Sequence, residues 1–295
     1  MTSRPNPLGE DLAVGLSPLV EQQKMVDALF RSSAPYWRQI YHLEDLDSTI
    51  YQLRRAVVLE LVDKLQLPRG SRILELGCGA GLTTVELARR GYRVDAVDTV
   101  GAMLDLTRQA AAEAGLRDWV RASAADAHQL AFRSSTFDLL VAMGVVPWLH
   151  SLPGALQEMV RVIRPGGQAI LTTDNRWCLN HTLDPWRFPG LQPARWKVRQ
   201  ALERIGLRKS RAPRPRLNMY SIRQLDSFLS AAGLRKVEGR TLGFGPFSFL
   251  NHEFLSDSIA IKLHHQLQRL ADRRFPVTRS TGIEYVVLAR RPSLD

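Results

Sequence analysis

The chain has 295 residues, 45% hydrophobic and 23% charged, enough for one α/β core with embellishments and ordinary for a globular protein. No apolar run reaches the ~20 residues of a membrane span, the first residues show no signal-peptide pattern, and two cysteines, Cys78 and Cys178, make no disulfide framework, so a reduced, cytoplasmic protein is expected. The net charge of +11 is local: residues 186–216 hold ten basic side chains and one acid, leaving +2 for everything else.

Residues 1–14, with Pro5, Pro7 and Gly9, read as disordered. Helices are predicted over about 17–31 and 48–66. In the second, Ile50, Leu53, Val57, Leu61 and Leu65 form one apolar stripe. An aromatic cluster, Phe30, Tyr36, Trp37, Tyr41 and Tyr51, lies around the junction. A short apolar run, 73–76, then ends in Gly77, Gly79 and Gly81, and helical periodicity starts at Leu82. That pattern is a buried strand, a tight turn and a helix N-terminus, with glycines that let backbone approach a ligand. A second strand, 92–97, ends at Asp98, whose carboxylate can take both hydroxyls of a ribose. A dinucleotide fingerprint would place its third glycine at position 82, which is Leu82.

A third segment, 119–125, closes on Asp126 and Ala127, and a fourth strand covers 137–143. A helix at 152–163 stops at Pro165-Gly166-Gly167, which turn the chain into a fifth strand, 168–173. Alternation of this kind predicts a parallel sheet covered by helices on both faces, with its ligand at the carboxyl ends of the strands. The pattern then breaks. Residues 174–219 carry the basic segment, with a helix near 194–207 and an extended, proline-interrupted stretch at 211–216. Ser221 caps a helix that runs to Ala232 and stops at Gly233. A strand at 234–242, a helical insertion at 252–272 and a final strand at 283–289 complete the chain. The expected organisation is an N-terminal helical cap (1–66), a ligand-binding core (67–175), a basic lid (176–219), and a C-terminal part of the core (220–295).

The series LELGCGAG, VDAVD, ADAHQLAF, FDLLVAMGVVPWLH and RVIRPGGQAILTT resembles the class I S-adenosylmethionine-dependent methyltransferases over residues 50–175. The resemblance implies a Rossmann-like, seven-stranded sheet of order 3-2-1-4-5-7-6, with strand 7 antiparallel, and S-adenosyl-L-methionine as cofactor. It implies that Gly77 and Gly79 pass beside the methionine part, with Cys78 and Gly81 completing the turn and Glu75 bonded within it or near the amino group. Asp98 would hold the ribose diol, with Thr99 beside it and Met103 against the adenine. Asp126 would accept from the adenine amino group, the Ala127 N–H would donate to the ring, and Met143 and Gly144 would line the pocket. No Cys/His spacing resembles a metal site; the neighbours His264 and His265 point to different faces of a helix.

A sulfonium-bound methyl group is an electrophile, so positioning supplies most of the acceleration. A general base is needed only where the acceptor must lose a proton. His150, after strand four, is the expected base by position, with Asp174, Asn175, Tyr220 and His252 as further candidates. Tyr36, Tyr41, Tyr51, Asn175 and Tyr220 are the expected acceptor-binding residues. After strand four the chain is apolar, Met143 to Trp148, and carries no Asn/Asp-Pro-Pro-Tyr signature, which favours a small-molecule or lipid-linked acceptor methylated on oxygen. The basic segment 186–216 suits an anionic handle or an anionic membrane surface. An RNA methyltransferase is the lesser expectation, because aromatic interleaving stops at Trp186 and Trp196. A non-catalytic binder that keeps the cofactor fold is the third reading.

Overall fold

The computed structural model describes residues 10–205, 215–250 and 252–293. Three helices come first: α1 (Glu10–Ser32), α2 (Ala34–Gln39) and α3 (Leu46–Lys64). Of the stretch expected to be disordered, residues 1–9 lie outside the described residues, whereas 10–14 open α1. Asp45 caps α3 by accepting from the Ser48 N–H at 2.7 Å, and the buried stripe of α3 comprises Ile50, Val57, Val58, Leu61 and Val62. The same helix also buries Arg54.

The alternating part runs β1 (Arg72–Leu76), α4 (Leu82–Arg89), β2 (Arg93–Asp98), α5 (Gly101–Glu113), β3 (Val120–Ala124), β4 (Phe137–Ala142), α6 (Leu152–Val162) and β5 (Ile163–Asp174). After it come α7 (Leu179–Leu183), α8 (Gln192–Arg204), α9 (Ile222–Ala231) and β6 (Arg235–Leu242). A short hairpin, β7 (Ser248–Phe249) and β8 (His252–Glu253), precedes α10 (Asp257–Asp272) and β9 (Glu284–Arg290). The seven-stranded sheet has the order β3-β2-β1-β4-β5-β9-β6, with β9 antiparallel to both neighbours. This is the predicted arrangement, β9 standing as the seventh strand.

Both faces are covered, so the central strands are mostly apolar; every residue of β4, Asp138 included, is buried. Alternation in β9 sends Tyr285, Val287 and Ala289 to the face packed by α6 and α9, and Val286 and Leu288 to the face packed by α3. Two details depart from expectation. β5 begins at Ile163 rather than after the glycines, because Ile163 still pairs with Phe137 before the register jumps to Leu139 and Gln168. The C-terminal insertion is not helical from residue 252, because His252 and Glu253 pair with Phe249 and Ser248. In α10, His264 and Gln268 accept from the Phe244 and Gly243 N–H groups at 3.1 and 3.0 Å, which fastens the helix to the turn after β6. No helix among the described residues is long and apolar enough to cross a membrane.

Candidate active site

Strand order reverses between β1 and β4, and the carboxyl ends of β1, β2, β4 and β5 border a cavity there. From Leu76 the chain passes through Gly77, Gly79 and Gly81 with φ of 64, 54 and 79°, a run that only glycine adopts without strain. A Cβ on Gly79 would meet nothing within 4 Å, so the turn lays bare backbone against the cavity. On Gly81, the N-cap of α4, it would stand 2.7 Å from Thr107 Cα, so that glycine sets the approach of α4 to α5. Glu75 is buried outside the cavity lining and accepts from Thr84 Oγ1 at 2.5 Å, which ties β1 to α4. Burial pushes its carboxyl up to about 7, against the Thr84 bond. Cys78 lines the cavity, but burial holds its thiol well above the ordinary value, so it is a small turn residue rather than a nucleophile.

Asp98, Thr99, Met103, Asp126, Ala127, Met143 and Gly144 all line the same cavity. Asp98 is fixed at both oxygens: Oδ2 accepts from the Gly79 N–H at 3.1 Å and Oδ1 from the Val100 N–H at 2.9 Å. Thr99 Oγ1 donates to Asp27 Oδ1 at 2.7 Å, which draws α1 over this end. Asp126 Oδ1 takes the His128 N–H at 2.8 Å and stands 2.7 Å from His128 Nδ1. His128 Nε2 accepts from the Ser151 N–H at 3.2 Å, which leaves Nδ1 to donate to Asp126. That bond, against burial, holds the Asp126 carboxyl below its ordinary value, and Oδ2 receives no bond from a described residue.

The expected base, His150, does not border the cavity. Its ring stacks on His128 at 3.5 Å, behind Asp126, and its Nδ1 is buried without a partner. Burial first, then His128, pushes its pKa down.

The opposite wall is aromatic. Trp148, Phe30, Trp37 and Tyr51 follow one another at centroid distances of 5.2, 5.9 and 5.6 Å. Of the residues expected to meet an acceptor, Tyr51 lies in this wall. Tyr36 is exposed and packs edge-on to Trp37, outside the lining. The side chain of Tyr41 lies outside the described residues. Asn175 is buried and donates to the Ser280 and Gly282 carbonyls at 3.0 and 2.9 Å, so it clamps the approach to β9 rather than reaching the cavity. Tyr220 packs edge-on against Phe228, again outside the lining. His252 is exposed in the hairpin.

Arg54, whose polarity breaks the apolar stripe of α3, borders the cavity beside Tyr51 and Asp174 and was missed as a site residue from sequence. A charged residue on a buried helical face was the signal. Among the described residues of the basic lid only Leu217 reaches the lining, and α10 contributes nothing to it. Among the described residues no group of three metal-ligating side chains comes together.

Residues 74–171 match the Methyltransferase domain family. The chain is 32% identical over 189 residues to a malonyl-[acyl-carrier protein] O-methyltransferase of Enterobacter lignolyticus, covering 63% of this chain and 68% of that one. It is 33% identical over 166 residues to the biotin biosynthesis bifunctional protein BioHC of Cellvibrio japonicus, covering 56% of this chain but only 30% of that one. In fold it is similar to the geranyl diphosphate C-methyltransferase of Streptomyces coelicolor A3(2), with a TM-score of 0.54, 19% identity and coverage of 82% and 80%. The chain belongs to the class I S-adenosylmethionine-dependent methyltransferases.

Proposed function

We propose that this protein transfers the methyl group of S-adenosyl-L-methionine to an oxygen of a small-molecule or lipid-linked acceptor with an apolar body. One observation carries the reading. A single cavity runs from the Gly77–Gly79 turn, Asp98 and Asp126 to an aromatic wall that ends at Tyr51, Arg54 and Asp174. The residues present fit the cofactor: Asp98 is anchored as a two-oxygen acceptor for a ribose diol, Asp126 keeps Oδ2 for an amino group, and bare backbone at Gly79 admits the methionine part. Met103 and the Ala127 N–H would flank the adenine. S-adenosylmethionine would supply an electrophilic methyl group; the aromatic wall would orient the acceptor and exclude water. Similarity to the malonyl-[acyl-carrier protein] O-methyltransferase supports oxygen as the methylated atom. Calorimetric titration with S-adenosylmethionine tests the reading, and absence of binding would overturn it.

The Asp126–His128 bond also makes an expectation. His128→Ala loses one charge-assisted hydrogen bond, so cofactor affinity should fall about tenfold. His150→Ala should leave that affinity and turnover within about twofold. Equal losses in the two variants, measured by calorimetry, would show that the ring stack matters and the Asp126 bond does not.

The basic segment 186–216 supports a second contact, with an anionic group on the acceptor or an anionic membrane surface. On α8, Trp196 and Val198 are 59% and 60% exposed and stand among Arg195, Lys197 and Arg204. Co-sedimentation should be strong with phosphatidylglycerol vesicles, weak with phosphatidylcholine vesicles and lost in high salt. Indifference to lipid charge would remove the membrane contact. The same segment supports RNA methylation as an alternative, and a flat salt response of binding to a mixed RNA pool would dismiss it.

A further inference from the structure

Arg54 and Asp174, in the lining of the same cavity, belong to a charged cluster at the junction of β5, β9 and α3. Asp174 closes β5, Glu284 opens β9, and the two are direct partners in the antiparallel ladder, so their side chains leave the same face of the sheet. Across that face α3 lays Arg54, whose Nη1 donates to Glu284 Oε1 at 3.0 Å and whose guanidinium carbon stands 4.5 Å from the Tyr51 ring centre. Two carboxylates therefore share one guanidinium, and they share it unequally. Glu284 is buried and holds the Arg54 bond, while Asp174 is only half-buried, borders the cavity and receives no side-chain hydrogen bond from any described residue. A carboxylate that serves only structure is normally hydrogen-bonded when it is withdrawn from water. This one faces the space where an acceptor would lie.

We propose that Asp174 is the general base of the reaction and that the acceptor atom is the oxygen of a hydroxyl group rather than of a carboxylate; the inference rests on the methyltransferase reading above. The acceptor hydroxyl donates its hydrogen bond to Asp174. As its oxygen attacks the methyl carbon, the O–C bond forms and the C–S bond breaks, its electron pair staying on sulfur. The hydroxyl proton passes to the Asp174 carboxylate and then to solvent. The products are a methyl ether, S-adenosylhomocysteine and one proton. A carboxylate acceptor has no proton to give, and it would enter beside Asp174 and Glu284 where Arg54 is the one cation of the cluster among the described residues. The cluster excludes it twice over.

Among the described residues the charged and titratable groups around Asp174 are Arg54 and Tyr51 of α3, Glu284 of β9 and Cys178 after β5. Burial raises the Asp174 carboxyl above an ordinary aspartate, with Arg54 opposing, which moves its proton affinity toward that of an effective base near neutral pH.

The test compares the wild type with Asp174→Asn, which keeps the shape and removes the proton acceptor. Calorimetry with S-adenosylmethionine should give the same Kd for both; a wild type that binds none overturns the methyltransferase reading itself, a result distinct from those below. Decyl 3,4-dihydroxybenzoate and decyl hydrogen malonate, a phenol and a carboxylate on the same apolar tail, are then offered with a methyl-labelled donor. Label should enter the phenol, and kcat should fall about 100-fold in Asp174→Asn with little change in KM. The acid limb of the wild-type pH profile should vanish in the variant. Label in the malonate, transferred by the variant as fast as by the wild type, overturns the proposal. Carbon-13 carboxyl spectra of the S-adenosylhomocysteine complex need no turnover. The resonance missing from the variant should titrate above the range of a free aspartate side chain. Titration within that range overturns the proposal whatever the acceptors do.

Discussion

Asp98→Ala should weaken S-adenosylmethionine binding roughly a hundredfold while leaving the melting temperature nearly unchanged. The size follows from what the carboxylate does on each side. Toward the protein it accepts one backbone N–H at each oxygen, from Gly79 and Val100, which freezes its plane. Toward the cavity its remaining lone pairs face the position of a ribose diol, and two hydrogen bonds to an ionised acceptor contribute about 3 kcal/mol together. The fold is spared because Asp98 is half-buried at the strand end and faces the cavity rather than the packed core. Asp98→Asn should fall between the two, since the amide keeps one acceptor and loses the charge. Calorimetry gives the affinities and differential scanning calorimetry the stabilities. A dissociation constant unchanged in Asp98→Ala would remove Asp98 from the cofactor site.

The end of the cavity proposed for the cofactor was legible in the sequence because its residues are local and punctuated. Gly77, Gly79 and Gly81 need left-handed backbone, and Asp98 and Asp126 stand at strand ends, where side chains turn toward a ligand. Strand order was legible through the family pattern and not through periodicity, which cannot say that β9 inserts between β5 and β6. The end proposed for the acceptor was mostly hidden. Asp174 and Glu284 lie 110 positions apart and become neighbours only through the antiparallel ladder, and Arg54 arrives from a helix far earlier in the chain. His150 misled for the same reason. Its place after β4 suited a base, but the ring turns to stack on His128, a contact set by the path of the loop after β3. Asn175 and Tyr220 likewise look exposed to substrate by position, while backbone carbonyls and Phe228 occupy them.

Arg54→Met should lower stability by about 3–5 kcal/mol at pH 8, which is roughly 10 °C in melting temperature for a chain of this size. The substitution keeps an unbranched apolar side chain and deletes the guanidinium that lies over Tyr51, the only charge bonded to Glu284 among the described residues, leaving a buried carboxylate uncompensated. Even in the wild type, burial pushes the Glu284 carboxyl up to about 7 from an ordinary 4.5, with Arg54 acting against it and Asp174 with it. The native state therefore holds this proton more tightly than the unfolded chain. Stability from this group is fully present at low pH and is lost as pH rises from about 4.5 to about 7. Glu75, also pushed to about 7, contributes in the same direction. Without Arg54 the Glu284 carboxyl rises further, so the variant should be close to wild type at pH 5.5 and far below it at pH 8. Glu284→Gln in the Arg54→Met background should recover most of the loss at pH 8, because an amide carries no charge to bury. Thermal unfolding of the three proteins across that range decides the matter. A penalty that is the same at pH 5.5 and pH 8 would assign the effect to lost packing on Tyr51, and the shared guanidinium would then have no part in holding β5, β9 and α3 together.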